Sequence, residues 1–293
     1  GAQDNMGCYL ASSLCWDCGL TVKEEKMEMQ EKVVVVTGAG SGIGRALAQR
    51  IADGGAQAVI CTDMNLENAA ETAASIGEKA SSISLDVSDE KAIEEAVRDI
   101  ESEQGRIDVF ISNAGYGQAG GLDLPTTDWE KMMNVHTWSH LAAARAVLPG
   151  MLERGSGYLL STASAAGLLT QMDSGPYAVS KHAAIALAEW LSINYAEKGI
   201  GVSVLCPQAV RTNIGGERAK NRDPNQPSQA GGDGVLEPEL VADACIEAMR
   251  EGRFLVLPHP EVETYFQRKA NDYDRWLHGM RRFKRKLLGE SEN

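Results

Sequence analysis

Four consecutive β-branched residues, Val33-Val34-Val35-Val36, run directly into Thr37-Gly38-Ala39-Gly40-Ser41-Gly42-Ile43-Gly44, and an apolar helical pattern continues from there to Asp53. No other feature constrains the fold as strongly. An unbroken valine run marks a strand buried on both faces. The glycines let the backbone approach a pyrophosphate without Cβ interference. The helix behind them turns free N–H groups and the positive end of its dipole toward the anion. Within this turn, Gly38, Ser41, Gly42, Ile43 and Gly44 are the candidate cofactor contacts. A strand before and a helix after separate it from a chance glycine string.

The same rhythm repeats downstream. Short apolar runs at Ala58–Cys61, Ser82–Leu85, Val109–Ile111, Tyr158–Leu160, Val202–Leu205 and Phe254–Leu257 read as strands. Helical patterns fall near 66–76, 89–104, 127–151, 175–198 and 238–251. Strands alternating with helices across short links predict a parallel sheet covered on both faces. Right-handed crossovers make it an α/β fold, a doubly wound parallel sheet of Rossmann type. The expected organisation is a single dinucleotide-binding catalytic domain over 32–258. An N-terminal tail or leader over 1–31 precedes it, and a C-terminal helical extension over 259–293 follows, with one amphipathic helix across 260–288. Residues 213–236, with Pro224, Pro227 and clustered glycines, break the rhythm and read as a mobile substrate lid.

Asp plus Glu outnumber Lys plus Arg, 41 to 28, for a formal net charge of −13. That excess disfavours nucleic acid and anionic membrane as partners, since both need a cationic face. Six cysteines are too few for a disulfide scaffold, so a reducing, cytoplasmic setting is expected. Cys8, Cys15 and Cys18 have no fourth ligand nearby, and no metal is expected. No apolar run reaches the ~20 residues of a bilayer span. The stretch from Leu10 to Val22 is broken by Asp17 and lacks a basic n-region, unlike a signal peptide.

Asp63 closes the second strand, where a carboxylate can accept hydrogen bonds from the adenosine ribose hydroxyls. It would repel a 2′-phosphate. At ~4 Å and an effective dielectric of ~20 the repulsion is about 4 kcal/mol, so NAD is expected over NADP. Arg45 is the neighbour able to soften that preference. Tyr177 and Lys181 lie one helical turn apart, on one face. A neighbouring cation favours phenolate. Bringing a phenol of pKa ~10 near neutrality takes ~2–3 units, roughly 3–4 kcal/mol. Lys181 and the positive charge of an oxidised nicotinamide are the expected sources. Tyr177 would then take a proton from an alcohol or give one to a ketone. Ser164 follows the fifth strand, where open α/β sheets bind ligands, and is the candidate holder of the substrate oxygen. Ser161 and Thr162 are its rivals by chemistry alone.

Taken in order, the Thr37–Gly44 turn, Asp63, Asp86-Val87, Asn113-Ala114-Gly115, Asn134, Ser164, Tyr177 with Lys181, and Pro207 with Thr212 resemble the short-chain dehydrogenase/reductase family. The match runs from 32 to 212. The resemblance implies that Asp86 and Val87 flank the adenine, and that Asn113, Ala114 and Gly115 support the cofactor face of the sheet. Asn134 would bend its helix and hold a water of a proton relay through its carbonyl. Ser164 would orient substrate, Tyr177 act as acid/base, and Lys181 bind the nicotinamide ribose and lower the tyrosine pKa. The segment with Pro207, Val210 and Thr212 would meet the carboxamide. Family members are usually homodimers or homotetramers. Two positions depart from the family pattern: Gln208 stands where glycine is common, and Ser112 where asparagine is frequent.

The expected pocket is lined by Tyr116 and Gln118, by Leu168 to Met172, and by Gln208 to Glu217. Apolar with a few amides, it suits a small or medium carbonyl or secondary alcohol. The expected activity is NAD-dependent hydride transfer between that pair. Two alternatives are an NADP-preferring carbonyl reductase and a catalytically idle NAD-binding sensor or scaffold. The basic C-terminal helix, with Arg275, Arg281, Arg282, Lys284, Arg285 and Lys286, is expected to pack on its own or a neighbouring subunit. Attachment to a membrane surface is the lesser alternative.

Overall fold

The computed structural model of the protein describes residues 26–212, 214 and 229–290. Seven strands form one sheet: β1 (Val33–Thr37), β2 (Ala58–Asp63), β3 (Ala80–Ser84), β4 (Val109–Ser112), β5 (Gly157–Thr162), β6 (Ile200–Leu205) and β7 (Leu255–Val256). Their order is β3-β2-β1-β4-β5-β6-β7, and every pairing is parallel. The helices are α1 (Gly42–Asp53), α2 (Leu66–Ile76), α3 (Glu90–Gln104), α4 (Thr126–Met133), α5 (Ser139–Arg154), α6 (Ala166–Leu169), α7 (Gly175–Tyr195), α8 (Pro238–Glu251), α9 (Glu261–Asn271) and α10 (Tyr273–Leu287). This is the expected doubly wound α/β sheet. The chain winds outward from β1 to β3, then returns to build from β4 to β7. The reversal leaves a crevice at the carboxyl ends of β1 and β4.

The valine run is explained by the two cores it serves. Val33 and Val35 pack with Phe110, Leu159 and Val202 beneath α3, α5 and α7. Val34 and Val36 pack on the other face with Val59, Ile111 and Leu160 beneath α1 and α8. Full burial of such a side chain is worth about 1.5–3 kcal/mol, so both faces reward apolar residues. Side-chain caps start α2, α3 and α7. Asn65 accepts from the Asn68 amide, Asp89 from those of Lys91 and Ala92, and Ser174 from that of Tyr177.

Four features differ from the sequence reading. The helix expected over 127–151 contains one widened, π-helical turn, Asn134–Trp138, between α4 and α5; the Ser139 N–H donates to the Asn134 carbonyl five residues back. Such single-turn bulges shift the facing of the side chains they carry. The helix expected across 260–288 is two, because Asp272 takes extended backbone (φ −154°, ψ 92°) and its carboxylate caps α10 through the Arg275 amide at 3.0 Å. The last part of the expected N-terminal tail is folded: Met27 and Met29 are buried, the Met27 N–H donates to the Met249 carbonyl at 2.8 Å, and the Glu31 N–H to that of Gly55 at 2.9 Å. The final strand is shorter than expected, Leu255–Val256. Most of the expected lid, 213 and 215–228, lies outside the described residues, as do Cys8, Cys15 and Cys18. No helix among the described residues is long and apolar enough to cross a membrane.

His140 on α5 carries a testable consequence of this packing. It is 4 % exposed, and neither ring nitrogen has a hydrogen-bond partner among the described residues. Burial, then the positive charge of Lys181, pushes its pKa down to about 3. An unfolded histidine titrates near ~6.5. Between these values the unfolded chain binds the extra proton, so stability falls as pH falls. From pH ~7 to ~5 this group alone should remove about 2 kcal/mol, read from urea midpoints. His140→Leu should flatten that slope; an unchanged slope would assign the loss elsewhere.

Candidate active site

The glycine turn leaves β1 and opens α1 with Gly38 and Gly42 in the left-handed region, at φ 65° and 52°. A Cβ on Gly44 would lie 2.2 Å from the Gly38 carbonyl oxygen and 2.6 Å from Asn113 Nδ2. One on Gly40 would lie 2.7 Å from Asp63 Oδ2, and one on Gly42 2.8 Å from Thr212 Cγ2. The turn is therefore wedged between the ends of β2, β4 and the segment after β6. Asp63 Oδ2 accepts from the Gly40 N–H at 3.0 Å and Oδ1 from the Asn65 N–H at 3.0 Å. Arg45 is already engaged: it donates to the Gly40 carbonyl at 2.6 Å and to Thr72 Oγ1 at 2.9 Å, and pairs with Glu71 at 3.3 Å. Ser41 is exposed and Ile43 half-buried. Beyond β3, Asp86 is exposed and closes a turn by accepting from the Ser88 amide and hydroxyl, while Val87 is buried.

At the end of β4, Asn113 holds three strands together. Its N–H donates to Thr37 Oγ1 at 2.9 Å, its Nδ2 to the Thr37 carbonyl at 3.0 Å, and its Oδ1 accepts from Thr162 Oγ1 at 3.1 Å. Ala114 N–H shares Thr37 Oγ1 at 3.0 Å, and Gly115 is exposed at the crevice. Thr162 is thus committed, and Ser161 is buried, whereas Ser164 keeps part of its surface accessible. That distinction separates Ser164 from its two sequence rivals. Ser164 Oγ is braced by the Ala166 N–H at 3.1 Å and by the Pro207 carbonyl at 3.4 Å.

α7 brings Tyr177 and Lys181 to the same place. Lys181 is 2 % exposed, donates to the Thr162 carbonyl at 2.9 Å, and sits 5.6 Å from the Tyr177 ring centroid. Burial pushes its ammonium down to about 7. Burial also pushes the Tyr177 phenol up, against the pull of a hydrogen bond with Ser164. Desolvation thus disfavours the charged form of both partners.

Asn134 is exposed and opens the π-helical turn, where its carbonyl accepts from the Ser139 N–H. Two residues on, the side chain of His136 stands against Tyr177. His136 is 0 % exposed; its Nε2 accepts from the Tyr116 N–H at 3.2 Å, its Nδ1 meets Ser180 Oγ at 3.0 Å, and its ring stands edge-on to Tyr177 with centroids 5.4 Å apart.

On the far side, Pro207 is buried, and Val210 and Thr212 are half-buried. Val210 pairs with Leu236. Gln208 does not fill the crevice: its Nε2 donates to Asp233 Oδ2 at 2.8 Å, and Tyr265 of α9 donates to Asp233 Oδ1 at 2.9 Å.

The family of short chain dehydrogenases matches residues 32–223. A 1-deoxy-11-beta-hydroxypentalenate dehydrogenase of Streptomyces avermitilis is 32% identical over 259 residues, spanning 86% of this chain and 93% of that protein. A meso-2,3-butanediol dehydrogenase of Serratia marcescens is 33% identical over 190 residues, spanning 64% and 75%. A solved structure, a short chain dehydrogenase/reductase from Burkholderia phymatum in complex with NAD, is similar at TM-score 0.75 and 29% identity, covering 85% of this chain and 96% of that one.

The wedged turn makes a direct prediction. Gly44→Ala pushes a methyl into the Gly38 carbonyl and the Asn113 amide. It should cost about 2–3 kcal/mol of stability by overpacking and weaken NADH binding at least tenfold by fluorescence titration. Unchanged stability and affinity would show that the turn is slack.

Proposed function

The chain belongs to the short-chain dehydrogenase family, whose members are NAD(P)-dependent oxidoreductases; from that premise we propose that it transfers a hydride between NAD and a secondary alcohol or ketone, with Tyr177 as general acid/base. One observation carries the reading: Tyr177, Lys181 and Ser164 converge at the carboxyl end of β5, beside a turn that has no room for a Cβ at Gly40, Gly42 or Gly44.

The residues fit a dinucleotide. The amides at the start of α1 and the Gly38–Gly44 turn would hold its diphosphate. Asp63 would take the adenosine ribose, with Asp86 and Val87 beside the adenine. Asn113, Ala114 and Gly115 would back the nicotinamide half, and Pro207, Val210 and Thr212 would meet its carboxamide. Bound NAD supplies a hydride acceptor, and its reduced form a donor. Ser164 donates a hydrogen bond to the substrate oxygen. Tyr177 removes the hydroxyl proton when the alcohol is oxidised and returns it when the ketone is reduced. Lys181, as ammonium, lowers the cost of the phenolate and would reach the nicotinamide ribose.

NAD over NADP rests on Asp63 and Arg45. The carboxylate stands at the rim of the turn, and the Arg45 guanidinium is engaged with Gly40, Thr72 and Glu71. The named relatives act on hydroxyl-bearing small molecules, which supports a similar class of substrate here. Val179, Trp190 and Ile193 stay exposed along α7, and Trp138 beside it, which supports association with a second copy.

Tyr177→Phe should lower kcat by about 10²–10⁴-fold on the best substrate from a panel of secondary alcohols and ketones, with NADH affinity unchanged within twofold. Full activity in that variant would remove the mechanism. NADH should bind at least tenfold more tightly than NADPH, and Asp63→Ala should narrow the gap; tighter NADPH binding would contradict the role given to Asp63.

A further inference from the structure

His136 is a buried polar side chain at the site that the mechanism above leaves unused. Its protonation follows from geometry. Nε2 accepts from the Tyr116 N–H, so it carries no proton, and Nδ1–H donates to Ser180 Oγ. Ser180 Oγ in turn donates to the Tyr177 carbonyl at 3.0 Å, and Thr137 Oγ1 donates to the Ser180 carbonyl at 2.9 Å. One ring thus joins the turn after β4, the π-helical turn and the segment of α7 that bears Tyr177. The ring also touches the reacting group's own side chain, edge-on at 86° to Tyr177. A Cβ built on Gly115 would lie 3.2 Å from His136 Nε2 and 3.7 Å from Lys181 Nζ, so imidazole and ammonium flank the same small space.

We propose that His136 is a positioning residue: its imidazole ties Tyr116 to Ser180 and holds the Tyr177 ring in register with Lys181 and Ser164. The proposal rests on the reading of Tyr177 as acid/base. The requirement is specific, since the side chain must accept at one end and donate at the other across the width of a ring. It must also do so without adding charge beside Lys181. The groups facing it are Lys181 and Tyr177 of α7, Tyr116, and His140 of α5; burial first, then Lys181 and His140, drive its pKa well below the ordinary histidine range. The imidazole therefore stays neutral while Lys181 titrates. The π-helical turn is what aims it, because a regular helix would place His136 differently against α7.

Three variants test the proposal, each read by two measurements. The first is the ultraviolet titration of Tyr177, taken as the difference between each protein and its Tyr177→Phe counterpart. The second is kcat with the best alcohol found in the panel. His136→Leu should raise the Tyr177 pKa by about one unit, because the phenol loses its register with the ammonium. It should also lower kcat at least tenfold while leaving NADH affinity within about threefold. His136→Gln, whose carbonyl can reach the Tyr116 amide, should return both readings most of the way. His136→Asn, too short for that amide, should resemble Leu. If His136→Leu does not fold, the Gln and Asn pair decides. A Tyr177 titration unmoved in folded His136→Leu, or Gln and Asn behaving alike, would overturn the proposal. Full activity in Tyr177→Phe would instead sink the catalytic reading, and the titration would still report on positioning.

Discussion

The small hydrogen-bond network between Thr37 and Asn113 is the constraint on which the rest depends. β1 and β4 are neighbours in the sheet but far apart in the chain, and the crevice exists only while their ends stay in register. Thr37 Oγ1 accepts two amides from the Asn113 turn, and Asn113 answers through Nδ2 to Thr37 and Oδ1 from Thr162. The network joins β1, β4 and β5 on the side where ligands bind such sheets. It also sets the backing for Gly44, whose missing Cβ leaves room for Asn113 Nδ2. Removing these partners would leave buried polar groups unpaired, a larger penalty than the hydrogen bonds themselves are worth.

Desolvation shapes the chemistry more than any single charge does. It pushes Lys181 down to about 7 and raises the Tyr177 phenol in the same small volume. A proton at this site is therefore held loosely by the amine and tightly by the phenol until something charged or polar arrives. Ser164 already acts in the direction of the phenolate. The neutral His136 adds geometry without competing charge.

Much of the fold was legible because it is written in local periodicity. The valine run, the glycine turn behind it and the alternation of strands with helices all report burial on two faces, which is a property of neighbouring residues. Asp63, Tyr177 and Lys181 stand out as candidates because each sits at a fixed offset from such an element. What escaped depended on contacts invisible to periodicity. The widened turn at Asn134–Trp138 keeps a helical pattern, and nothing in that spacing announces that His136 reaches Ser180 of α7. Asp272 interrupts the C-terminal helix without interrupting its apolar spacing. Met27 and Met29 belong to the core through contacts with distant residues such as Met249 and Gly54, and nothing near them in the chain announces it.

The central claim is that the glycine turn, Asp63 and the Ser164–Tyr177–Lys181 group serve one bound dinucleotide. A crystal structure of the protein with NAD tests it most directly. The account predicts the diphosphate at the start of α1, the adenosine ribose hydroxyls on Asp63, Lys181 on the nicotinamide ribose, and Tyr177 facing the reactive ring carbon. A dinucleotide seated elsewhere, or with its nicotinamide turned away from Tyr177, would contradict it.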